Sequence, residues 1–190
     1  GDSWAILFSH PKDFTPVCTT EFGAVAQLAA EWEKRGTKVM GISVDGVEEH
    51  KQWKGDIEKT AGAPASFPII ADEDMAVSKA LDMLPAEAYL PDGRTAADSA
   101  SVRSVFIVAP NKKVQLMMTY PMSVGRNFAE VLRALDALQA TYETPIATPA
   151  NWTVGQDVIV ALSLNDEQAK EKFGEVNAVL PYLRTTKMPV

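Results

Sequence analysis

Short apolar segments alternate with amphipathic segments along the chain, and this alternation restricts its fold more than any other feature. Apolar segments typical of buried strands are followed by segments with apolar residues at helical spacing. The strands are predicted over 4–9 ("WAILFS"), 38–45 ("KVMGISVD") and 67–72 ("FPIIAD"), and the helices over 20–34, after a cap at Asp45, and over 74–82. This β-α-β-α order predicts an α/β protein with parallel strands and covering helices.

The next part of the chain adds antiparallel strands. The segment 84–101 is rich in Pro, Gly, Asp and Ala and is predicted to be a loop. "VRSVFIVAP" and "VQLMMTY" then form a predicted strand pair joined by the turn "PNKK", and a helix is expected from Asn127. A mixed central sheet flanked by helices on both faces follows, which is a thioredoxin-like fold.

A linker is predicted near 143–151, where prolines and threonines cluster in "TYETPIATPANW". We therefore divide the chain into a main domain over 1–143 and a small α+β extension over 144–190. The extension has a predicted strand ("DVIVAL"), a helix over 165–173 and a last segment "YLRTT". It is expected to be too short to bury a core of its own, so it should pack on the main domain or on a partner subunit.

Charge and cysteine content exclude several classes of protein. The net charge of -7 argues against nucleic-acid binding, and no apolar run is long enough for stable membrane insertion. One cysteine excludes a disulfide within the chain and a cysteine-based zinc site, and we expect no metal and no cofactor. A single thiol suits a reducing compartment, so a cytoplasmic location is expected. The chain begins without Met, almost directly in a strand, and we expect a segment before Gly1.

The only cysteine lies in "HPKDFTPVCTTEF", at a predicted strand-to-helix junction. Thr15 suits the N-cap of the helix and Pro16 its first position, which places Cys18 in the first turn. The backbone N–H groups and the positive end of the helix dipole favour an anion there. Most lone cysteines are inert small apolar residues. The position of Cys18 instead favours a reactive thiolate.

Activation of the thiol should also need an arginine. An ordinary thiol with a pKa of ~8.5 is only about 3% thiolate at pH 7. The helix dipole lowers a thiol pKa by at most about one and a half units, which is not enough alone. Arg103 is the best candidate, because alternation places it on the apolar face of its strand, where it needs an anionic partner or must extend to water. Arg126 is a second candidate, although the residues alone favour a solvated surface arginine. Glu21 either holds an arginine near Cys18 or is an ordinary glutamate at a helix start.

The two histidines of the chain are the remaining candidates. His10 ends the first strand and could be a general base, a structural hydrogen-bonding group or an exposed side chain, of which we prefer the structural role. His50 lies in a polar helix and is expected to be solvated.

The junction resembles the active-site loop of peroxiredoxins, whose pattern P-x-x-x-[ST]-x-x-C is matched by Pro11, Thr15 and Cys18. The likeness to the one-cysteine subfamily continues through "SVDGVEEH", "FPIIAD", "VRSVFIV", "YPMSVGRNFAEVLRAL" and "ATPANW" and covers nearly the whole chain.

The resemblance implies a role for each candidate residue. Cys18 corresponds to the peroxidatic cysteine, Thr15 to the hydroxyl beside the sulfur, and Arg103 to the activating arginine. Pro11 would shield the thiolate. The supporting residues would be Glu21, Arg126 and His10.

The resemblance also implies a reaction and its partners. A hydroperoxide, either hydrogen peroxide or an organic or lipid hydroperoxide, would oxidise Cys18 to a sulfenic acid. Because the chain has no second cysteine, an external thiol such as glutathione or a thioredoxin-type protein must reduce that acid. A homodimer is implied, with the C-terminal extension reaching the partner.

Two alternatives stay open at this stage. Some members of the subfamily are lipid hydrolases of the phospholipase A2 type, centred on a serine in G-D-S-W-G. Ser3 is present in "GDSWA", but Ala5 replaces the last glycine and Asn111 stands where an acidic partner is expected. Ser3 is more simply a turn residue. The other alternative is a redox-inactive binding module, in which Cys18 would titrate like a free thiol.

Overall fold

Five strands form a mixed central sheet in the computed structural model, which describes residues 2–85 and 100–189. The order of strands is β3-β2-β1-β4-β5, with β1, β2 and β3 parallel and β4 and β5 antiparallel to their neighbours. The elements up to the sheet's last strand are β1 Trp4–Ser9, α1 Pro16–Gln27, α2 Ala29–Lys34, β2 Thr37–Ser43, α3 Val47–Ala61, β3 Ile69–Ala71, α4 Ala76–Ala80, β4 Arg103–Val108 and β5 Val114–Tyr120. The predicted α/β thioredoxin-like fold is confirmed.

Helices cover both faces of this sheet because the side chains of β1 alternate between them. Phe8 points to one face and contacts Phe22 of α1, with ring centroids 4.8 Å apart. Leu7 points to the other face, where it packs in a cluster with Val77 of α4 and with Leu81, the C-cap residue of that helix. The residues between β1 and α1 therefore lead from the C-terminal end of the central strand to the face that Phe8 covers, and the site lies at this connection.

Two predicted helix features are wrong. The segment predicted as one helix over 20–34 is two helices, because the Leu28 N–H bonds to the carbonyls of both Ala24 and Val25 and the regular helical pattern ends there. Asp45 does not cap α3, whose N-cap is Gly46. The Asp45 carboxylate instead accepts bonds from other groups near the site.

The chain divides into two compact units, one up to Phe128 and one from Ala129 onward. The second unit contains most of α5 Phe128–Thr141 and a four-stranded sheet in the order β6-β7-β9-β8. Its other elements are β6 Ile146–Ala147, β7 Val158–Val160, α6 Asp166–Phe173, β8 Val176–Leu180 and β9 Leu183–Thr186. The predicted boundary between residues 143 and 144 stays a prediction.

The extension contains a buried apolar cluster that residues before 144 help to form. Trp152 is 1% exposed and forms a cluster with Ile146 and Val158. Ala137 and Ala140 of α5 pack against this cluster. Since Ala137 and Ala140 precede residue 144, this cluster is not a core of the extension alone.

In the part of the chain that the structure describes, no helix is both long enough and apolar enough to cross a membrane. The predicted loop over 84–101 lies mostly outside the described residues.

Candidate active site

The start of α1 places Cys18 in the first turn of the helix. Thr15 is the N-cap residue, with an extended backbone, and Pro16 is the first helical residue. The Thr15 side chain makes no capping hydrogen bond, so it does not occupy the first-turn N–H groups. The Cys18 side chain is 0% exposed. An anion at this sulfur would therefore face helix donors in surroundings from which water is excluded.

Arg103, the first residue of β4, reaches Cys18 across 85 residues of sequence. Its Nη1 lies 3.4 Å from Cys18 Sγ and donates to Glu21 Oε2 at 2.7 Å. Its Nε and Nη2 both donate to the carbonyl of Met122, at 2.8 and 2.7 Å. The guanidinium does not extend to water, since Arg103 is 3% exposed. The bonds to Glu21 and to Met122 O fix the plane of the guanidinium, and one N–H of Nη1 is directed at the sulfur.

Glu21 joins the two arginines. Its Oε2 accepts from Arg103 and from Arg126 Nη2, both at 2.7 Å, and its Oε1 accepts from the Nε and the backbone N–H of Arg126 at 2.9 and 2.8 Å. The interpretation of Arg126 as a solvated surface residue is wrong, because it is 7% exposed and also donates to Ser104 O. Its guanidinium lies over the ring of Phe8, 5.3 Å from the centroid.

The charges in this cluster favour an anion at Cys18. Burial alone would raise the pKa of Glu21, but the hydrogen bonds and charge of Arg126 and the charge of Arg103 outweigh burial and lower it. Glu21 is therefore ionised at neutral pH. Two cations against one anion leave one buried positive charge. A thiolate at Cys18 would compensate it, and an uncompensated buried charge is costly.

Thr15 and Pro11 lie on the same loop as Cys18. The Thr15 hydroxyl donates its proton to Lys12 O at 2.8 Å. While this bond is kept, the hydroxyl oxygen can only accept a hydrogen bond from a substrate. Pro11 is buried. Their predicted roles at the sulfur stay predictions.

His10 belongs to a second buried cluster with Asp13 and His50. The Asp13 carboxylate lies 2.6 Å from His10 Nε2 and 2.6 Å from His50 Nδ1. The expectation that His50 is solvated is wrong. It is 3% exposed, because α3 packs on β3 and the His50 ring lies against Ile70 O and the Asp13 carboxylate. The residues around His50 in the sequence are polar and do not predict its burial, which depends on tertiary contacts.

The same three residues are the group within residues 2–85 and 100–189 that could hold a metal ion, with ligand atoms within 4.8 Å of one another. Their nitrogens and carboxylate oxygens are bonded to each other, so a metal would have to displace both hydrogen bonds. Sequence reasoning missed Asp13 altogether. The available signal was an aspartate three residues after a histidine inside the active-site motif.

Ser3, the serine of the alternative hydrolase hypothesis, lines a cavity that does not include Cys18. This cavity has a volume of 740 Å³ and is also lined by apolar residues such as Trp32 and Phe67. Cys18 and the two histidines of the chain are not among the residues that line this cavity. Within the described residues, Ser3 therefore has no histidine that could act as its base.

Comparisons with known proteins agree with this geometry. The AhpC/TSA family matches residues 1–117, and the C-terminal domain of 1-Cys peroxiredoxin matches residues 137–175. A mitochondrial peroxiredoxin of Saccharomyces cerevisiae is 48% identical over 190 residues, which is 98% of this chain and 71% of that protein.

Two solved structures have the same fold. Peroxiredoxin 6 of Arenicola marina, crystallised as a cysteine-to-serine mutant, has a TM-score of 0.90 and 42% identity over 100% of this chain and 87% of that chain. The yeast mitochondrial 1-Cys peroxiredoxin, solved to explain thiol resolution by the glutathione and thioredoxin systems, has a TM-score of 0.87 and 47% identity over 98% of this chain and 87% of that chain. The buried Cys18–Arg103 pair thus lies in a fold shared with these enzymes, and the chain belongs to the AhpC/TSA family as a one-cysteine peroxiredoxin.

Proposed function

We propose that the chain reduces hydroperoxides with the Cys18 thiolate and is regenerated by an external thiol. The observation that carries this proposal is the 3.4 Å contact between Arg103 Nη1 and Cys18 Sγ, inside a cluster with one uncompensated positive charge. A cation at this distance favours the thiolate, which is the nucleophilic form of cysteine.

The first step is a displacement at oxygen. The Cys18 thiolate attacks one peroxide oxygen, an S–O bond forms and the O–O bond breaks. The leaving oxygen departs as hydroxide or alkoxide and takes up a proton. The sulfur loses two electrons and becomes a sulfenic acid, while the peroxide gains them. Charge moves along the S–O–O line, where Arg103 and the first-turn N–H groups can stabilise it.

The second step needs two equivalents of an external thiol. The first attacks the sulfenic sulfur, forms a mixed disulfide and releases water. The second attacks the reductant's sulfur in the mixed disulfide, so that Cys18 leaves as the thiol and the two external thiols are oxidised to a disulfide. The yeast relative is resolved by the glutathione and thioredoxin systems, and we propose the same two classes of reductant here.

Peroxide turnover measured in parallel with a glutathione system and a thioredoxin system tests the proposal. We expect NADPH consumption that depends on peroxide with at least one of the two systems. A small dithiol should also support turnover, because the chain itself has no resolving cysteine. Failure of all three reductants, with Cys18 shown to be reduced at the start, would contradict the proposed cycle.

The substrates that we propose are hydrogen peroxide and organic hydroperoxides, including those of lipids. The displacement involves only the two peroxide oxygens, so the leaving oxygen can carry either hydrogen or an organic group. Cys18 is 0% exposed, so the O–O group of any substrate must reach a buried sulfur.

We further propose a homodimer. Within the described residues, β5 is an edge strand paired only with β4, and its Val114 and Met117 are 46% and 62% exposed. The second unit also exposes apolar side chains, including Val179 at 55% and Tyr182 at 66%. Exposed edges and apolar surface of this kind favour association.

Sedimentation velocity tests the dimer and should give about twice the 20.6 kDa chain mass. A monomer at micromolar concentration would contradict the dimer.

The cytoplasm is the compartment that we propose. A buried thiol without a disulfide partner in the chain suits a reducing compartment. The yeast relative is named as mitochondrial, so a mitochondrial location is the competing possibility. Fractionation of cells that express the complete gene distinguishes the two.

A further inference from the structure

The cluster of His10, Asp13 and His50 has a defined charge state. His50 Nδ1 lies 2.6 Å from Asp13 Oδ2, and its Nε2 lies 3.2 Å from the carbonyl of Ile70 in β3. Both partners only accept hydrogen bonds, so both ring nitrogens of His50 must donate. A histidine that donates from both nitrogens is an imidazolium. His50 is therefore the cation of a buried ion pair with Asp13.

The direction of the pKa shifts agrees with this assignment. Burial alone would lower the pKa of His50, but the hydrogen bond and charge of Asp13 outweigh it and raise the pKa. Burial also opposes ionisation of Asp13, but the two histidine hydrogen bonds lower its pKa. Asp45, after β2, is the other charged group that acts on both rings.

His10 is the neutral member of the cluster. Its Nε2 lies 2.6 Å from Asp13 Oδ1, whereas its Nδ1 is buried and has no hydrogen-bond partner among the described residues. Burial lowers the pKa of His10 and outweighs the effect of Asp13. The ring therefore carries its proton on Nε2 and a lone pair on Nδ1. One anion, one cation and one neutral ring make the cluster neutral.

Asp13 also fixes the backbone of the loop that carries the catalytic motif. Its N–H donates to Asp45 Oδ2 at 2.9 Å. The next residue, Phe14, has a φ of 55°, and its side chain is exposed. This left-handed conformation is costly for phenylalanine and persists only where the surroundings impose it. Phe14 stands between two residues held by hydrogen bonds: the Asp13 N–H donates to Asp45, and the Thr15 hydroxyl donates to Lys12 O.

We propose that Asp13 is a positioning residue, which uses protonated His50 as a clamp to hold the loop between Pro11 and Thr15 in the geometry that peroxide reduction at Cys18 requires. Thr15 is the N-cap of α1, so a shift of the clamp would move the start of the helix that carries Cys18. This inference rests on the proposed function of Cys18.

The clamp predicts a dependence on pH. The pKa of His50 is raised in the folded protein, so the clamp is complete below the ordinary histidine value of about 6.5 and is lost as pH rises through the raised value. Deprotonated His50 can donate either to Asp13 Oδ2 or to Ile70 O, but not to both. The rate constant for the reaction with peroxide, expressed per Cys18 thiolate, should therefore fall at alkaline pH.

Nitrogen-15 NMR of histidine-labelled wild-type protein tests the charge state without any mutation. The chain has two histidines, so two rings are observed. We expect one imidazolium with both nitrogens protonated and one neutral ring protonated on Nε2 at pH 6.5. The imidazolium should titrate with the same midpoint as the fall in the rate per thiolate. Two neutral rings, or a midpoint unrelated to the rate, would overturn the clamp.

Stopped-flow peroxide kinetics from about pH 5.5 to about pH 9 test its function. His50→Asn keeps a donor toward Asp13 but cannot titrate, so the alkaline fall should disappear while the rate near neutral pH is largely kept. His50→Leu removes the donor and should lower the rate per thiolate by about tenfold or more. Glu48→Gln, an exposed change on the same helix, is the control and should stay within about twofold.

The two hypotheses fail in different ways. If Cys18 does not consume peroxide at all, the proposed function fails, whereas the NMR result still reports on the cluster. If Cys18 reacts normally and His50→Asn keeps the alkaline fall, only the clamp fails. A folded His50→Leu protein with the wild-type rate per thiolate would also overturn it.

Discussion

Replacing Cys18 by serine is expected to abolish peroxide consumption. The serine hydroxyl is not ionised at neutral pH and cannot be oxidised to a sulfenic acid, so both the nucleophile and the electron donor are lost. The side chain is 0% exposed and the change is nearly isosteric, so the fold should survive. Peroxide loss is measured directly, together with thiol-dependent turnover, and circular dichroism verifies the fold.

The control for Cys18→Ser is Thr20→Ala, in the same helix. Thr20 is exposed and its hydroxyl bonds only to Val17 O among the contacts that the structure gives it, so turnover should stay close to that of the wild type. Thiol-dependent turnover that remains in Cys18→Ser would contradict the mechanism. Ester hydrolysis that survives Cys18→Ser but is lost in Ser3→Ala would instead support a second activity at Ser3.

Removing the Arg103 guanidinium should have the next largest effect. Arg103→Ala deletes the donor 3.4 Å from the sulfur and leaves the charge of Glu21 balanced by Arg126 alone. The buried cluster then no longer favours an anion at Cys18. Loss of one such donor typically costs about 3–4 kcal/mol in the transition state, so the rate constant with peroxide should fall roughly 10²–10³-fold.

Two further variants separate charge from geometry. Arg103→Lys keeps the positive charge but cannot reproduce the two N–H bonds to Met122 O, so an intermediate rate is expected. Arg133→Ala removes an arginine that is paired with Glu130 on α5, and it should leave the rate unchanged. Stopped-flow kinetics at one pH, with thermal unfolding as the check on folding, give the comparison. A rate for Arg103→Ala within about threefold of the wild type would exclude Arg103 as the activating cation.

The sequence predicts most of the main fold because its signals are local. Strand and helix periodicities are strong in the first 140 residues, and the predicted strand pair with the turn at "PNKK" is present as β4 and β5. The short strands β6 and β8 were not predicted. β6 has two residues, and β8 has mostly exposed side chains without clear alternation. Pairing with neighbouring strands, rather than local pattern, makes them strands.

In the candidate site, too, local sequence signals predict some residues and long-range contacts determine the others. Arg103 stands out in the sequence because a charge on an apolar strand face needs a partner. Arg126 and His50 do not, because their burial depends on contacts with Glu21 and Asp13, which lie 105 and 37 residues away. A residue's own neighbours in sequence carry no signal for such contacts. The motif around Cys18 therefore identifies the nucleophile, and the structure identifies what surrounds it.

Mass spectrometry after peroxide treatment tests the central claim most directly. The reduced protein is given one equivalent of hydrogen peroxide in the presence of a reagent that traps sulfenic acids, and the modified residue is located by peptide mapping. We expect one trapped group per chain on Cys18, and oxygen additions on Cys18 when excess peroxide is used without the trap. Untrapped Cys18, with oxygen found only on the seven methionines, would contradict an activated thiol at this site.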